Sequence, residues 1–214
     1  MLGHVKAARA VAIIVVGAAL AGGCQTDREI TEPDPVPVTA DLLTDALITD
    51  DDVPSPFVVS EDADQVGPEI IPEHECDDPL KDLDPEESAQ VVLTGGFATL
   101  TNTISYFPGQ GAAVANAYAQ LLSACGQVVV ADENLRFTTK PLDFGVLSDN
   151  TLPLVVSLEH ENGTIEERNL IVMRQGDLIS TIRLDGPRPS DKVLLDTVTR
   201  VAIGNLGELE QVTT

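Results

Sequence analysis

Residues 153–184 read PLVVSLEHENGTIEERNLIVMRQGDLISTIRL, and this stretch decides the fold class. Pro153–Glu161 and Thr164–Arg174 are apolar-rich segments joined by Asn162-Gly163. That dipeptide closes tight antiparallel hairpins because both residues tolerate positive φ. Gln175-Gly176 then turns the chain into a third segment, Asp177–Leu184. Strands linked by such short turns must run antiparallel, since a parallel pair needs a long crossover.

Working outward, Leu135–Pro141 is one more strand, and Ala89–Thr94 and Ala98–Tyr106 are β-rich segments separated by Gly95-Gly96. Between these blocks a helix follows Gly109-Gln110-Gly111 and runs to Ala124, with Gly126 as its stop. Val114, Tyr118, Leu121, Leu122 and Cys125 share one face of it. Ser190 is the expected cap of a closing helix that reaches about Leu209, with Leu194, Val198, Val201 and Leu209 facing inward. Near the start, Leu42, Leu43, Ala46 and Leu47 lie at helical spacing. Thr49 before Asp50-Asp51-Asp52 reads as an N-cap with an acidic first turn, stopped by Pro54, and Phe57-Val58-Val59 reads as an edge strand. Residues 60–87 are acidic, Pro-rich and aperiodic, and read as a long loop. Strands and helices in blocks, instead of alternating βαβ units, predict an α+β fold: a single domain over residues 40–212 with an antiparallel sheet packed with helices.

The N-terminus addresses the chain outward. His4, Lys6 and Arg9 precede an apolar run, Val11–Ala21, and then Gly22-Gly23-Cys24. Residues 1–23 thus read as a secretory signal peptide whose apolar run is short for a bilayer span. Leu20-Ala21-Gly22-Gly23-Cys24 resembles the bacterial lipobox, in which the Cys thiol takes a diacylglyceryl group and becomes the new N-terminus. It departs from that pattern in one respect: Leu stands four residues before the Cys, and Ala21 holds the usual Leu position. The alternative is ordinary secretion with cleavage near Ala21. Three cysteines favour the lipid. With Cys24 acylated, Cys76 and Cys125 remain as an even pair in an oxidising compartment. A disulfide between them would close a loop of about 50 residues, worth roughly 4 kcal/mol in the chain-entropy picture. Residues 24–39, with Pro33, Pro35 and Pro37, read as an extended acidic tether. The anchored product would sit on the extracytoplasmic face of the cell membrane. Given those export features, Asn162-Gly163-Thr164 is read as a turn and not as a glycosylation sequon.

Thirty-five acidic residues against twelve basic ones give a net charge of -23. Nucleic acid is excluded as a partner, because phosphate binding needs clustered Lys and Arg. Without Trp, and with five Phe and two Tyr, aromatic carbohydrate clefts and base-stacking platforms are poorly supplied. At 43% hydrophobic the chain can still bury a core, and that core must be aliphatic. The acidic excess belongs to the N-terminal third.

Phe107-Pro108-Gly109-Gln110-Gly111 matches the opening of acyl-carrier acyltransferases, but no Gly-x-Ser-x-Gly elbow follows. As a dinucleotide turn it fails at Val114, where close helix packing wants a small residue. Asp62, Asp64, Gly67 and Glu73 approximate a calcium loop, although Val66 removes a ligand and Pro68 and Pro72 stiffen it; a solvated acidic loop is the plainer reading. His74 and Cys76 lack the further His or Cys that a transition-metal site requires. His160 falls at a sheet margin, and Glu159 and Glu161 at the outer face of a strand end, which suggests neither a triad nor a hydrolytic pair. No cofactor and no catalytic residue is expected.

The order of elements is itself informative. An acidic Pro-rich tether leads into Ala46-Leu47-Ile48-Thr49 and Asp52-Val53-Pro54, then a loop Cys, two strands and a helix Ala112–Ala124 ending in Cys125-Gly126. The pair around Asn162-Gly163, Arg174-Gln175-Gly176-Asp177-Leu178 and a closing helix complete it. Over about residues 40–210 this resembles actinobacterial lipoproteins whose domain is similar to the extracellular sensor domain of PknH-type serine/threonine kinases. The resemblance implies a curved antiparallel sheet with helices packed on it and a cleft for an unidentified ligand. Kinase sensors of this type carry two disulfides, whereas only Cys76 and Cys125 are available here. No kinase domain occurs in this sequence, so any signal would pass through a partner. The expectation is a lipid-anchored, ligand-binding, sensor-like module without catalysis. The alternative is a structural or protein-interaction lipoprotein of the cell envelope, with the acidic loop 60–87 as its charged surface.

Overall fold

The computed structural model describes residues 36–54, 56–60, 80, 83–124, 126–130, 135–143, 148–187 and 191–213. Cys24, Cys76 and Cys125, the leader, the calcium-loop residues Asp62, Asp64 and Glu73, and the metal candidate His74 all lie outside them.

The meander forms as the turn chemistry requires. β6 (Thr151–Glu159), β7 (Ile165–Gln175) and β8 (Leu178–Pro187) pair antiparallel in succession. Gly163 and Gly176 take φ of 79° and 57° at the two turns, a conformation glycine adopts without steric cost. In the first turn the Gly163 N–H donates to the His160 carbonyl and the His160 N–H to the Thr164 carbonyl, both at 2.9 Å. β6 starts and ends two residues earlier than the alternation suggested, with Pro153 inside it. β8 returns beside β3 (Ala98–Tyr106), which is paired to β2 (Glu87–Gly95) and through it to the short edge strand β1 (Val58–Val59). On the other side β6 carries β5 (Leu135–Pro141), and β5 carries β4 (Gln127–Val130). The result is an open antiparallel sheet of eight strands in the order β1-β2-β3-β8-β7-β6-β5-β4. Strand β4 was not anticipated: its three consecutive valines come only one residue, Gln127, after Gly126, and the helix stop at that glycine was taken no further.

Alternation along the strands splits the side chains between two faces. The first bears Leu93, Leu100, Ile104, Ile171, Met173, Ile182 and Leu184, all buried under α1 (Ala40–Asp45) and α3 (Lys192–Thr213). Helix α3 contributes Leu194, Leu195, Val198, Ala202, Leu206 and Leu209 to that core. The second face bears Leu154, Leu170, Val172 and Ile179, which pack with Phe107 and with Val114 of α2 (Gly111–Ala124). Tyr118 and Leu121 lie on the inner side of α2 as its spacing predicts. The fold is therefore α+β, with a helix layer on each face of one sheet.

Capping fixes the helix starts. Thr39 accepts from Leu42 N–H at 3.3 Å to begin α1. Thr49 and Asp52 form a capping box around a single 3₁₀ turn, Asp50–Asp52. At α3 the cap is Asp191; Ser190, the expected cap, lies outside the described residues. Asp191 Oδ1 accepts from Val193 and Leu194 N–H at 3.0 and 2.9 Å, and a carboxylate there also opposes the positive end of the helix dipole. The stretch expected to be tether is in contact before residue 40: Val36 N–H donates to the Val212 carbonyl, and Val38 packs against the core.

Three polar strand residues, Asn102, Asn169 and Ser180, are fully buried on the first face. Asn102 of β3 is fully buried. Its Oδ1 accepts from Ile48 N–H at 3.1 Å, and its Nδ2 donates to Ser180 Oγ and the Thr181 carbonyl, each at 3.1 Å. Asn205 of α3 donates to the neighbouring Ala46 carbonyl at 3.2 Å. The peptide leaving α1 is thus held by the sheet and by α3. Replacing Asn102 with Ala strands the Ile48 N–H and leaves a hole, so urea unfolding should show a loss of about 2–3 kcal/mol.

Candidate functional site

Two features survive as sites of interest. The first is the Phe107–Gly111 motif, which the structure shows to be a joint. Phe107 N–H donates to the Asp177 carbonyl at 2.9 Å. Asp177 Oδ2 accepts from Gly109 N–H at 2.7 Å and Oδ1 from Gly111 N–H at 3.2 Å. A carboxylate thereby satisfies free amides at the start of α2 and faces the positive end of its dipole. Gly111 is required by contact: a Cβ there would lie 2.3 Å from the Gly176 carbonyl oxygen and 2.8 Å from Asp177 Cα. The motif's glycines clamp α2 to the β7–β8 turn. Gly111→Ala should cost about 1–3 kcal/mol in thermal or urea unfolding, as forced overpacking does.

The second is a charged group on the second sheet face, outside the apolar cluster under α2. Strand register sets it. Arg183 of β8 stands between Thr101 of β3 and Leu170 of β7; two residues on, Asp185 stands between Thr99 and Arg168. Arg183 Nε lies 2.9 Å from Asp185 Oδ2, and Arg168 Nε lies 3.9 Å from Asp185 Oδ1. Glu166 follows on β7, with His160 Nε2 3.4 Å from its Oε1. Thr101 is buried and Arg183 nearly so, while Arg168 and Asp185 keep about 30% of their side chains exposed. Among the described residues neither Asp185 Oδ1 nor Thr101 Oγ1 has a hydrogen-bond partner. Orphaned buried polar atoms are rare in folded proteins and mark a place to look for a ligand.

Burial pushes the Asp185 carboxyl above the ordinary aspartate value, against the opposing pull of Arg183 and then Arg168, with Glu166 adding a small push upward. The folded state therefore holds this proton more tightly than the unfolded chain does. Ionised Asp185 weighs against folding at high pH, and that weight is relieved as pH falls through the raised folded value towards the unfolded one. A carboxyl-carbon NMR titration should place Asp185 above normal aspartates, and Arg183→Gln should raise it further.

The sequence reading passed over this group. Its only signal was Arg183 set between Ile182 and Leu184 in an otherwise buried strand, since charged residues are seldom so placed unless paired. His160 does sit at a sheet margin, and Glu159 is exposed at a strand end, where it pairs with Arg136 at 3.6 Å. The structure does not bring these into a common catalytic geometry. Among the described residues no three His, Cys, Asp or Glu side chains converge to hold a metal. No helix among them is long and apolar enough to cross a membrane.

No family model and no curated protein matches the chain. Among solved structures it is similar to the extracellular domain of PknH from Mycobacterium tuberculosis. The TM-score is 0.54 at 12% identity, over 82% of this chain and 98% of that one. At that identity the likeness shows the fold alone: the chain shares the architecture of that extracellular domain.

Proposed function

We propose that this chain is an extracytoplasmic, sensor-like binding module, held at the membrane through a diacylglyceryl group on Cys24, that binds a small polar ligand without transforming it. The observation that carries the ligand reading is a pair of buried atoms, Asp185 Oδ1 and Thr101 Oγ1, that have no hydrogen-bond partner among the described residues and lie beside two guanidinium groups on one sheet face. Such a surface suits a molecule that donates a hydrogen bond to the carboxylate and meets the hydroxyl with either role. The fold shared with the extracellular domain of PknH supports the compartment, as do the leader and the lipobox-like Leu20–Cys24. A Cys76–Cys125 disulfide belongs to the same reading.

Native mass spectrometry of the protein purified from its own host tests the ligand. Wild type should carry a co-purifying small molecule, and Asp185→Asn with Thr101→Val should lose it while keeping a folded circular dichroism spectrum. A wild-type protein that carries no adduct overturns the reading. Cys24→Ala should release the protein from the membrane fraction; a wild type already soluble in the cytosol with three free thiols refutes the anchor.

A further inference from the structure

The charged group on the second face is an ion-pair cluster left unfinished. Arg183 Nε reaches Asp185 Oδ2 at 2.9 Å, but Arg168 Nε stops 3.9 Å from Oδ1, beyond hydrogen-bond reach. Among the described residues nothing donates to the buried Oδ1, and the hydroxyl of Thr101, a residue only 5% exposed, has no partner either. Register sets Thr101 beside Arg183, and Arg168 beside Asp185. A carboxylate oxygen in want of a donor, a hydroxyl and two guanidiniums therefore lie within two strand spacings, about 10 Å.

These groups discriminate between ligand chemistries. A simple carboxylate brings no donor for Oδ1 and faces its negative charge. A simple amine sets its own charge against two arginines. A neutral polyol makes hydrogen bonds but leaves the charges unmatched, and charge-assisted bonds are about twice as strong as neutral ones. A sugar ring also lacks a stacking surface, since the strand neighbours of the three charged residues are Thr99, Thr101, Val156 and Leu170. A zwitterion answers both signs, and with no net charge it is not repelled by a chain of -23. We infer that, granted the binding role proposed above, the ligand is a free α-amino acid, with its ammonium on Asp185 Oδ1 and Thr101 Oγ1 and its carboxylate on the Arg168 guanidinium. Arg168 is the more exposed of the two arginines, and five N–H donors let it take a carboxylate while keeping other contacts. Burial holds the Asp185 carboxyl above its ordinary value despite both arginines, and an ammonium at Oδ1 would draw it back down.

Calorimetry of the full chain against the common L-amino acids, each with its N-acetyl and amide forms, tests this, with inositol and succinate as neutral and anionic comparisons. At least one free amino acid should bind, and blocking either charged end should weaken it about tenfold or more. Asp185→Asn should erase the difference between the free and N-acetyl forms. Arg168→Gln should erase that between the free and amide forms, and Arg168→Lys should restore part of it. Both variants should keep a folded circular dichroism spectrum, and the blocked ligands read the same two contacts on unmodified protein. The amino-acid assignment is overturned if N-acetylation leaves affinity unchanged. It also fails, leaving the binding role intact, if inositol or succinate binds and no amino acid does, or if the adduct released from host-purified protein contains no amino acid. If nothing binds and no adduct is found, the assignment and the binding role fall together.

Discussion

Everything on the first face hangs on a buried amide. Asn102 occupies a core position between Leu100 and Ile104, and its three hydrogen bonds tie β3 to β8 and to the peptide leaving α1. A leucine there would fill space but leave the Ile48 N–H without an acceptor in an apolar surround. The amide therefore fixes where the α1 segment lands, and apolar packing then fills in around it. Leu43, Leu47, Ile48 and Val53 reach the core because that stretch is pinned between them, and Asn205 secures it from the α3 side.

The two faces of the sheet solve different problems. The first is covered by two helices and is mainly aliphatic, with the buried polar residues Asn102, Asn169 and Ser180 set into it. The second is covered by a single uncharged helix over Leu154, Leu170, Val172 and Ile179. Beyond that cluster, register places Arg183 and Asp185 on the same face, where the strands exchange packing for ionic contacts. The raised Asp185 carboxyl records the strain of this exchange: desolvation outweighs two neighbouring cations.

The meander was legible because Asn162-Gly163 and Gln175-Gly176 are local signals, and local chemistry forced the hairpins. The helices were legible from period and from the stop at Gly126, and the turn at Asp50–Asp52 from Thr49 as an N-cap before three acidic residues, though the box closed by the Asp52 side chain was not. The long-range pairing of β3 with β8 was not, since no short-range feature in either strand names its neighbour. Strand β4 was missed because Gly126 was read only as a helix stop, although Asp132 and Asn134 between Val130 and Leu135 are turn formers. The α3 cap was placed one residue early because Ser190 and Asp191 both suit the role, and only geometry chooses between them. The charged cluster depends on register across three strands. Its members are 15 and 17 residues apart in sequence (Arg168 to Arg183 and to Asp185), and alternation alone could not bring them together. The Phe107–Gly111 motif was noticed but not understood, because its partner, Asp177, comes from a distant turn.

The meeting of Val36 and Val212 has a mechanical consequence. Entry and exit of the described fold lie side by side, like the two legs of a clip. A pull applied at both points would peel the first strandless residues from the last turn of α3 before it reached the sheet, sparing the eight-stranded ladder. The same adjacency makes the fold a cassette. Spliced into a surface loop of another protein, it would demand almost no separation of the host's cut ends, and its far hairpin would stand clear of the junction.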